Sequence, residues 1–135
     1  MALVMDATEV TEFLAEVFPQ TTGDFIIEEL TSGSIRVRMP VADRHLRPGG
    51  TVSGPSMFAL ADVSVYMMIL GRIGKQALTV TTNCSIDFMR KPASGVDLIA
   101  EGRLLKMGRV LAVGDVHMRS DGTEGLVARA TVTYS

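Results

Sequence analysis

Polar residues almost vanish between Pro55 and Leu70, where the run Pro-Ser-Met-Phe-Ala-Leu-Ala-Asp-Val-Ser-Val-Tyr-Met-Met-Ile-Leu predicts a helix that is apolar on nearly every face. Such a helix needs cover on all sides. Upstream, Val10, Phe13, Leu14 and Val17 recur at helical spacing and predict a short amphipathic helix over Thr8 to Phe18, with Thr8 as its N-cap and Pro19 ending it. Asp24 to Leu30 and Ser34 to Met39 flank Thr31-Ser-Gly33, and the second alternates Ile35, Val37 and Met39 with Ser34, Arg36 and Arg38, the period of a hairpin strand. Downstream, Ala77 to Met89, Val96 to Leu105, Val110 to Arg119 and Gly125 to Tyr134 read as four long strands separated by Gly-containing turns. The order predicts an α+β domain over residues 1–135, in which a long antiparallel sheet curls around the central helix. Gly102 and Gly114 fall mid-strand, where a missing side chain permits the curl or a close approach of the helix.

Composition narrows the class. With 47% hydrophobic residues but no Trp and only 5% aromatics, the core must be aliphatic and Met-rich, and apolar surface is left over for a second copy of the chain. A net charge of -2 and the lack of any Lys/Arg run leave no field for nucleic acid or an anionic membrane. Cys84 stands alone, with neither a zinc spacing nor a CxxC, which excludes an internal disulfide and suits a reducing cytoplasm. Met1 to Asp6 lacks the basic start of a signal peptide. The apolar helix reads as a poor membrane span, because Asp62 interrupts it and Gly71-Arg72 closes it after about 16 residues, short of the ~20 that a bilayer needs.

Asp62 is the candidate for chemistry. Its neighbours Phe58, Leu60, Ala61, Val63 and Val65 offer almost no hydrogen-bond donors, so an ionised carboxylate there loses hydration, a condition that tunes it toward general-base duty. The alternative is a carboxylate satisfied by a partner in the core or at a subunit interface. What singles it out is the loop in front, His45-Leu-Arg-Pro-Gly-Gly-Thr-Val-Ser-Gly-Pro55, which feeds straight into the helix. Gly54 as N-cap and Pro55 at the first helical position would aim the Gly54 amide and the positive end of the helix dipole at an incoming oxygen.

Gly54 and Asp62 are eight residues apart, so along one helix roughly 12 Å separates them at 1.5 Å per residue. A carbonyl whose oxygen lies about 3 Å from the amide is out of reach of that carboxylate. Two such helices lying antiparallel across a two-fold axis would bring Gly54 of one chain to Asp62 of the other, with two equivalent sites per dimer.

Three segments carry a family resemblance: Pro48-Gly-Gly-Thr-Val-Ser-Gly-Pro-Ser-Met-Phe-Ala-Leu-Ala-Asp62, Ile86-Asp-Phe-Met-Arg-Lys-Pro92 and Leu105-Lys-Met-Gly-Arg109. In order and spacing the chain resembles the hotdog-fold acyl-CoA thioesterases of the phenylacetate-degradation (PaaI) type over roughly residues 20–134. The family pattern is Asn-Pro-x-Gly-x-Val-His-Gly-Gly, four variable residues, then Leu-Ala-Asp. Arg47 stands here for the Asn, Ser53 for the His and Pro55 for the second Gly. The resemblance implies hydrolysis of an acyl-CoA thioester, with Asp62 as base or nucleophile and the Gly54 amide as oxyanion donor, in a site shared between subunits of a dimer or dimer of dimers. It implies no metal and no cofactor other than the coenzyme A of the substrate. Pro55 donates nothing, so the oxyanion site has fewer donors than a Gly-Gly version. Losing one donor costs about 10²-fold in rate. Ser53 retains a hydroxyl for hydrogen bonding, and Arg47 offers charge to an anionic group of the substrate.

The remaining candidates are weaker. Strand alternation puts Thr81 and Asn83 on one face and Val80, Thr82 and Cys84 on the other. Thr81 matches a position where some relatives carry a Ser or Thr hydroxyl that holds the attacking water or the carboxylate, although ordinary β-propensity equally explains a Thr there. Arg90-Lys91 at a strand end, with Lys106 and Arg109 around Gly108, would gather positive charge for coenzyme A phosphates, or serve as solvated caps. Met57, Phe58, Met67, Met68 and Met89 would line an adaptable apolar pocket for aryl or medium acyl groups. Cys84 reads as packing. His45 and His117 lack the acidic companion of a catalytic dyad, which weighs against a hydratase or dehydratase. A binding module that holds acyl-CoA without turnover remains the main alternative to the hydrolase.

Overall fold

The computed structural model describes residues 3–75 and 79–135. The first helix, α1 (Ala7–Val17), starts one residue earlier than the pattern indicates. Its cap is Asp6 rather than Thr8: the Asp6 carboxylate accepts from the Glu9 amide at 2.9 Å while Glu9 reaches back to the Asp6 amide at 3.1 Å. This reciprocal box satisfies two orphan donors at once, which a Thr8 cap could not do because the residue three positions on is Thr11 rather than Glu or Gln.

Two strands follow, β1 (Ile26–Leu30) and β2 (Ser34–Met39), then the central helix α2 (Gly54–Ile73) and strands β3 (Thr81–Phe88), β4 (Leu98–Met107), β5 (Ala112–Ser120) and β6 (Leu126–Tyr134). Residues 77 and 78, placed by the sequence reading at the start of the third strand, lie outside the described residues. All strand pairs are antiparallel, in the order β1-β2-β4-β5-β6-β3. This is the hotdog arrangement of one sheet around one helix.

Helix α2 spans 20 residues, four more than the apolar run, because Gly54 joins it at the start and Gly71, Arg72 and Ile73 continue it to a C-cap at Gly74. It is thus long and apolar enough to cross a membrane by length and composition, and the expectation of a span that is too short fails. Burial accounts for its composition instead: Leu60, Ala61, Val65, Met68 and Leu70 have no exposed surface. Each large side chain taken from water there contributes about 1.5–3 kcal/mol. The helix touches β2, β3, β4, β5 and β6, and the mid-strand Gly114 makes that approach possible. A Cβ built on Gly114 would lie 2.8 Å from Val65 Cγ2 of the helix, whereas one on Gly102 would be tight against the neighbouring strand, 3.1 Å from Ile35 Cγ2, and in ordinary contact with the helix, 3.6 Å from Met68 Cε.

One irregularity matters for the site. The β3–β6 register shifts between Thr81 and Asn83, so Thr81 pairs with Tyr134 while Asn83 pairs with Thr133. Tyr134, Val132 and Ala130 are buried on the helix side of the sheet. The bulge therefore turns Thr81 toward the helix and leaves Asn83 on the opposite, outer face, which corrects the simple alternation that put them together. Strand β3 is also a sheet edge, and Val80, Phe88 and Met89 at its ends are 58%, 54% and 51% exposed.

Candidate active site

The loop before α2 is built to fix the first amide of the helix. Arg47 donates its amide to the Thr51 carbonyl at 2.8 Å, and Gly50 donates to the Arg47 carbonyl at 3.0 Å. Gly49 and Gly50 both have positive φ, 104° and 83°, which favours glycine at these two positions. The Ser53 amide then donates to the His45 carbonyl at 2.7 Å, closing the loop at the helix entry.

Ser53, not Gly54, is the N-cap, which moves Gly54 to the first helical position and Pro55 to the second. The Ser53 hydroxyl accepts from the Ser56 amide at 3.2 Å and its carbonyl accepts from the Met57 amide at 3.1 Å. Pro55 has no N–H to place. Among the described residues the Gly54 N–H is therefore the one first-turn donor without an acceptor. Its surroundings are a cavity of about 430 Å³ lined by Arg47, Gly54, Met57, Met89, Arg90 and Lys91, among others. The Phe88 ring lies against the open face of Gly54, 3.4 Å from where a Cβ would sit.

Asp62 sits in a different cavity of about 330 Å³, walled by Phe18, Val63, Tyr66, Val80 and Tyr134. The donors absent from its own helix come from the sheet. Thr81 donates its hydroxyl to Asp62 Oδ1 at 2.6 Å, and the Tyr134 hydroxyl lies 3.0 Å from both Oδ1 and the Asp62 carbonyl oxygen. The premise of a donor-poor carboxylate thus fails, because residues 19 and 72 positions away complete its shell. Tyr134, which the sequence reading missed, is stacked on Tyr66 with ring centroids 5.8 Å apart. Burial and the adjacent Asp62 push the Tyr134 phenol far above its usual range, so it stays a protonated donor. Its only signal in the sequence is an aromatic with a polar tip at an inward strand position. Cys84 packs against the core beside this site, and burial, then Asp62, push its thiol up, away from a reactive thiolate.

The other candidates divide. Arg47, Met57, Arg90 and Lys91 come together at Gly54. Met67 and Met68 are buried core, Phe58 is exposed, and Asn83 faces outward, so none of these four joins either cavity within one chain. Gly108 and Arg109 line a third cavity with Ile73 and Tyr134, so the β4–β5 turn, with Lys106 near the end of β4 before it, does not join Arg90 and Lys91 in a single basic cluster. The histidines do have acidic companions, contrary to expectation: His117 Nε2 is 3.4 Å from Asp115 Oδ2 and His45 Nε2 is 3.7 Å from Asp24 Oδ1. Neither lines the Asp62 cavity. Among the described residues no group of three or more His, Cys, Asp or Glu is arranged to hold a metal ion.

Comparison with known proteins places this geometry. A solved structure from Silicibacter sp. TM1040, of a protein assigned as a thioesterase, is 60% identical and superposes with a TM-score of 0.94 over 100% of this chain and 94% of that one. A mutant of the phenylacetic acid degradation protein PaaI from Thermus thermophilus is 26% identical with a TM-score of 0.74, covering 86% of this chain and 96% of that one. Human acyl-coenzyme A thioesterase 13 is 25% identical over 136 aligned positions, 93% of this chain and 96% of that protein. The Thioesterase superfamily model matches residues 49–127, a span that includes Gly54, Asp62 and Thr81, and the chain belongs to that superfamily as a hotdog-fold thioesterase.

Proposed function

We propose that the protein hydrolyses an acyl-CoA thioester to the free acid and coenzyme A, with Asp62 of one protomer and the Gly54 amide of its partner acting on the same carbonyl. The observation that carries this reading is the separation of the half-sites. One cavity holds an anchored carboxylate, another holds an unpartnered helix-terminal amide flanked by cations, and they share no lining residue. Each lacks what the other has.

In the reaction, Asp62 removes a proton from water as the water oxygen bonds to the thioester carbon. The carbonyl oxygen gains negative charge and accepts from the Gly54 N–H at the positive end of α2. Collapse of this adduct breaks the C–S bond, and the proton held by Asp62 passes to the departing thiolate. Direct attack by Asp62 would give a mixed anhydride that water then cleaves to the same products. Arg47, Arg90 and Lys91 beside Gly54 supply charge for the phosphates of coenzyme A, and the aromatic wall around Asp62 suits an aryl or medium acyl group. A homodimer, or a dimer of dimers, is the form this chemistry needs.

A second reading has one observation in its favour. With Pro55 in place and Ser56 capped, a single donor is left for the oxyanion, enough to hold a ligand but a weak catalyst. Incubation with a panel of acyl-CoAs while free thiol is followed separates the two: thiol release supports hydrolysis, and tight binding without release supports a binding module. Asp62→Asn is expected to abolish turnover while leaving acyl-CoA affinity within a few-fold. Unchanged turnover in that variant removes the mechanism.

A further inference from the structure

Building on the proposed hydrolysis, we infer that Tyr134 is a positioning residue that, with Thr81, clamps Oδ1 of Asp62 and so makes Oδ2 the oxygen that takes the proton from water or attacks the thioester. A carboxylate has two chemically equal oxygens, and free rotation would present either. Here both side-chain donors converge on Oδ1, at 2.6 Å from Thr81 and 3.0 Å from Tyr134, while Oδ2 has no partner among the described residues. Two donors draw charge from Oδ1 and fix the plane of the group, leaving Oδ2 as the free acceptor.

The clamp is rigid for structural reasons. Tyr134 is only 4% exposed, its ring stacks on Tyr66, and its single hydroxyl proton is shared between Asp62 Oδ1 and the Asp62 carbonyl oxygen, each 3.0 Å away, which holds the phenol over one residue of the helix. Thr81 reaches the same oxygen only because the β3–β6 bulge puts it opposite Tyr134. The unbulged register would turn Thr81 outward, and the second donor would be lost. The irregularity in the edge strand therefore has a purpose in the site: it delivers two hydroxyls to one carboxylate oxygen.

Tyr134→Phe keeps the ring and its stacking but deletes the hydroxyl, while Thr81→Val deletes the second donor at equal volume and Thr81→Ser keeps it. With an acyl-CoA that the wild type hydrolyses and Asp62→Asn does not, kcat is expected to fall about 10-fold in Tyr134→Phe and in Thr81→Val, with KM within about twofold. Thr81→Ser should restore near-wild-type turnover. Losing a donor to the carboxylate should also move the acid limb of the kcat/KM profile to higher pH, which simple loosening of the fold would not do. Wild-type kcat and an unmoved acid limb in Tyr134→Phe would overturn the clamp while leaving the hydrolase intact, and so would a raised KM at unchanged kcat. Failure of the wild type to release thiol from any acyl-CoA, or full activity in Asp62→Asn, would overturn the hydrolase reading and the clamp with it.

Discussion

Arg90 shows how one residue can be placed by another that contributes no side chain. Its guanidinium lies across Gly125, so a Cβ there would sit 2.6 Å from Arg90 Nη1 and 2.8 Å from Cζ. Because the obstructing group is the tip of an exposed, flexible side chain, Gly125→Ala should swing Arg90 away from the Gly54 cavity without straining the backbone. If Arg90 meets a coenzyme A phosphate, this variant should raise KM for acyl-CoA about two- to fivefold, the scale of one screened ion pair, with kcat unchanged. Steady-state kinetics on a short acyl-CoA check it, and an unaltered KM would take Arg90 out of the binding groove. Asp62, Gly54 and the Arg90-Lys91 pair were legible in the sequence because each stands against its local pattern: an acid in an apolar helix, a glycine at a helix start, cations at a strand end. Tyr134 was not, since its partner lies 72 positions away and only strand pairing brings the two together.

At the scale of elements, hydrophobic periodicity gave both helices and all six strands, with ends displaced by a few residues. Caps and register account for the displacements. Glu9 completes a box with Asp6, which outcompetes Thr8, and the shift at Thr81/Asn83 reverses the face of one residue in a strand whose alternation is otherwise regular. Gly114 illustrates the part that was read correctly. A methyl there would lie 2.8 and 3.0 Å from the two Val65 methyls and 3.2 Å from Met68 Cε, inside a fully buried contact between β5 and α2. Gly114→Ala should therefore cost about 1–3 kcal/mol, the usual penalty of overpacking. Urea denaturation measures it, and a variant as stable as the parent would show that the helix has room to move.

For the whole molecule, the proposed site spans two chains, and it starts from the fact that Asp62 and Gly54 line separate cavities of one chain. The Gly54 cavity is cationic and presents a lone amide; the Asp62 cavity is walled by aromatic and aliphatic side chains. Between them runs the edge strand β3, unpaired on one side within the chain, with exposed Val80, Phe88 and Met89 at its ends. An edge with apolar ends is a natural place for a second copy to add. The exposed ends of β3 did not stand out in the hydrophobic pattern, because β3 alternates like any half-buried strand.

Mixed dimers test the shared site most directly. Asp62→Asn removes the carboxylate, and Gly54→Pro removes the amide at a first-turn position where proline is accommodated. Each parent should form an inactive dimer. When differently tagged copies of the two are co-expressed and the heterodimer is isolated, one of its two sites joins the intact Asp62 of one chain to the intact Gly54 of the other, so thiol release per dimer should return to about half the wild-type value. Heterodimers as inactive as both folded parents would contradict a site built across two chains.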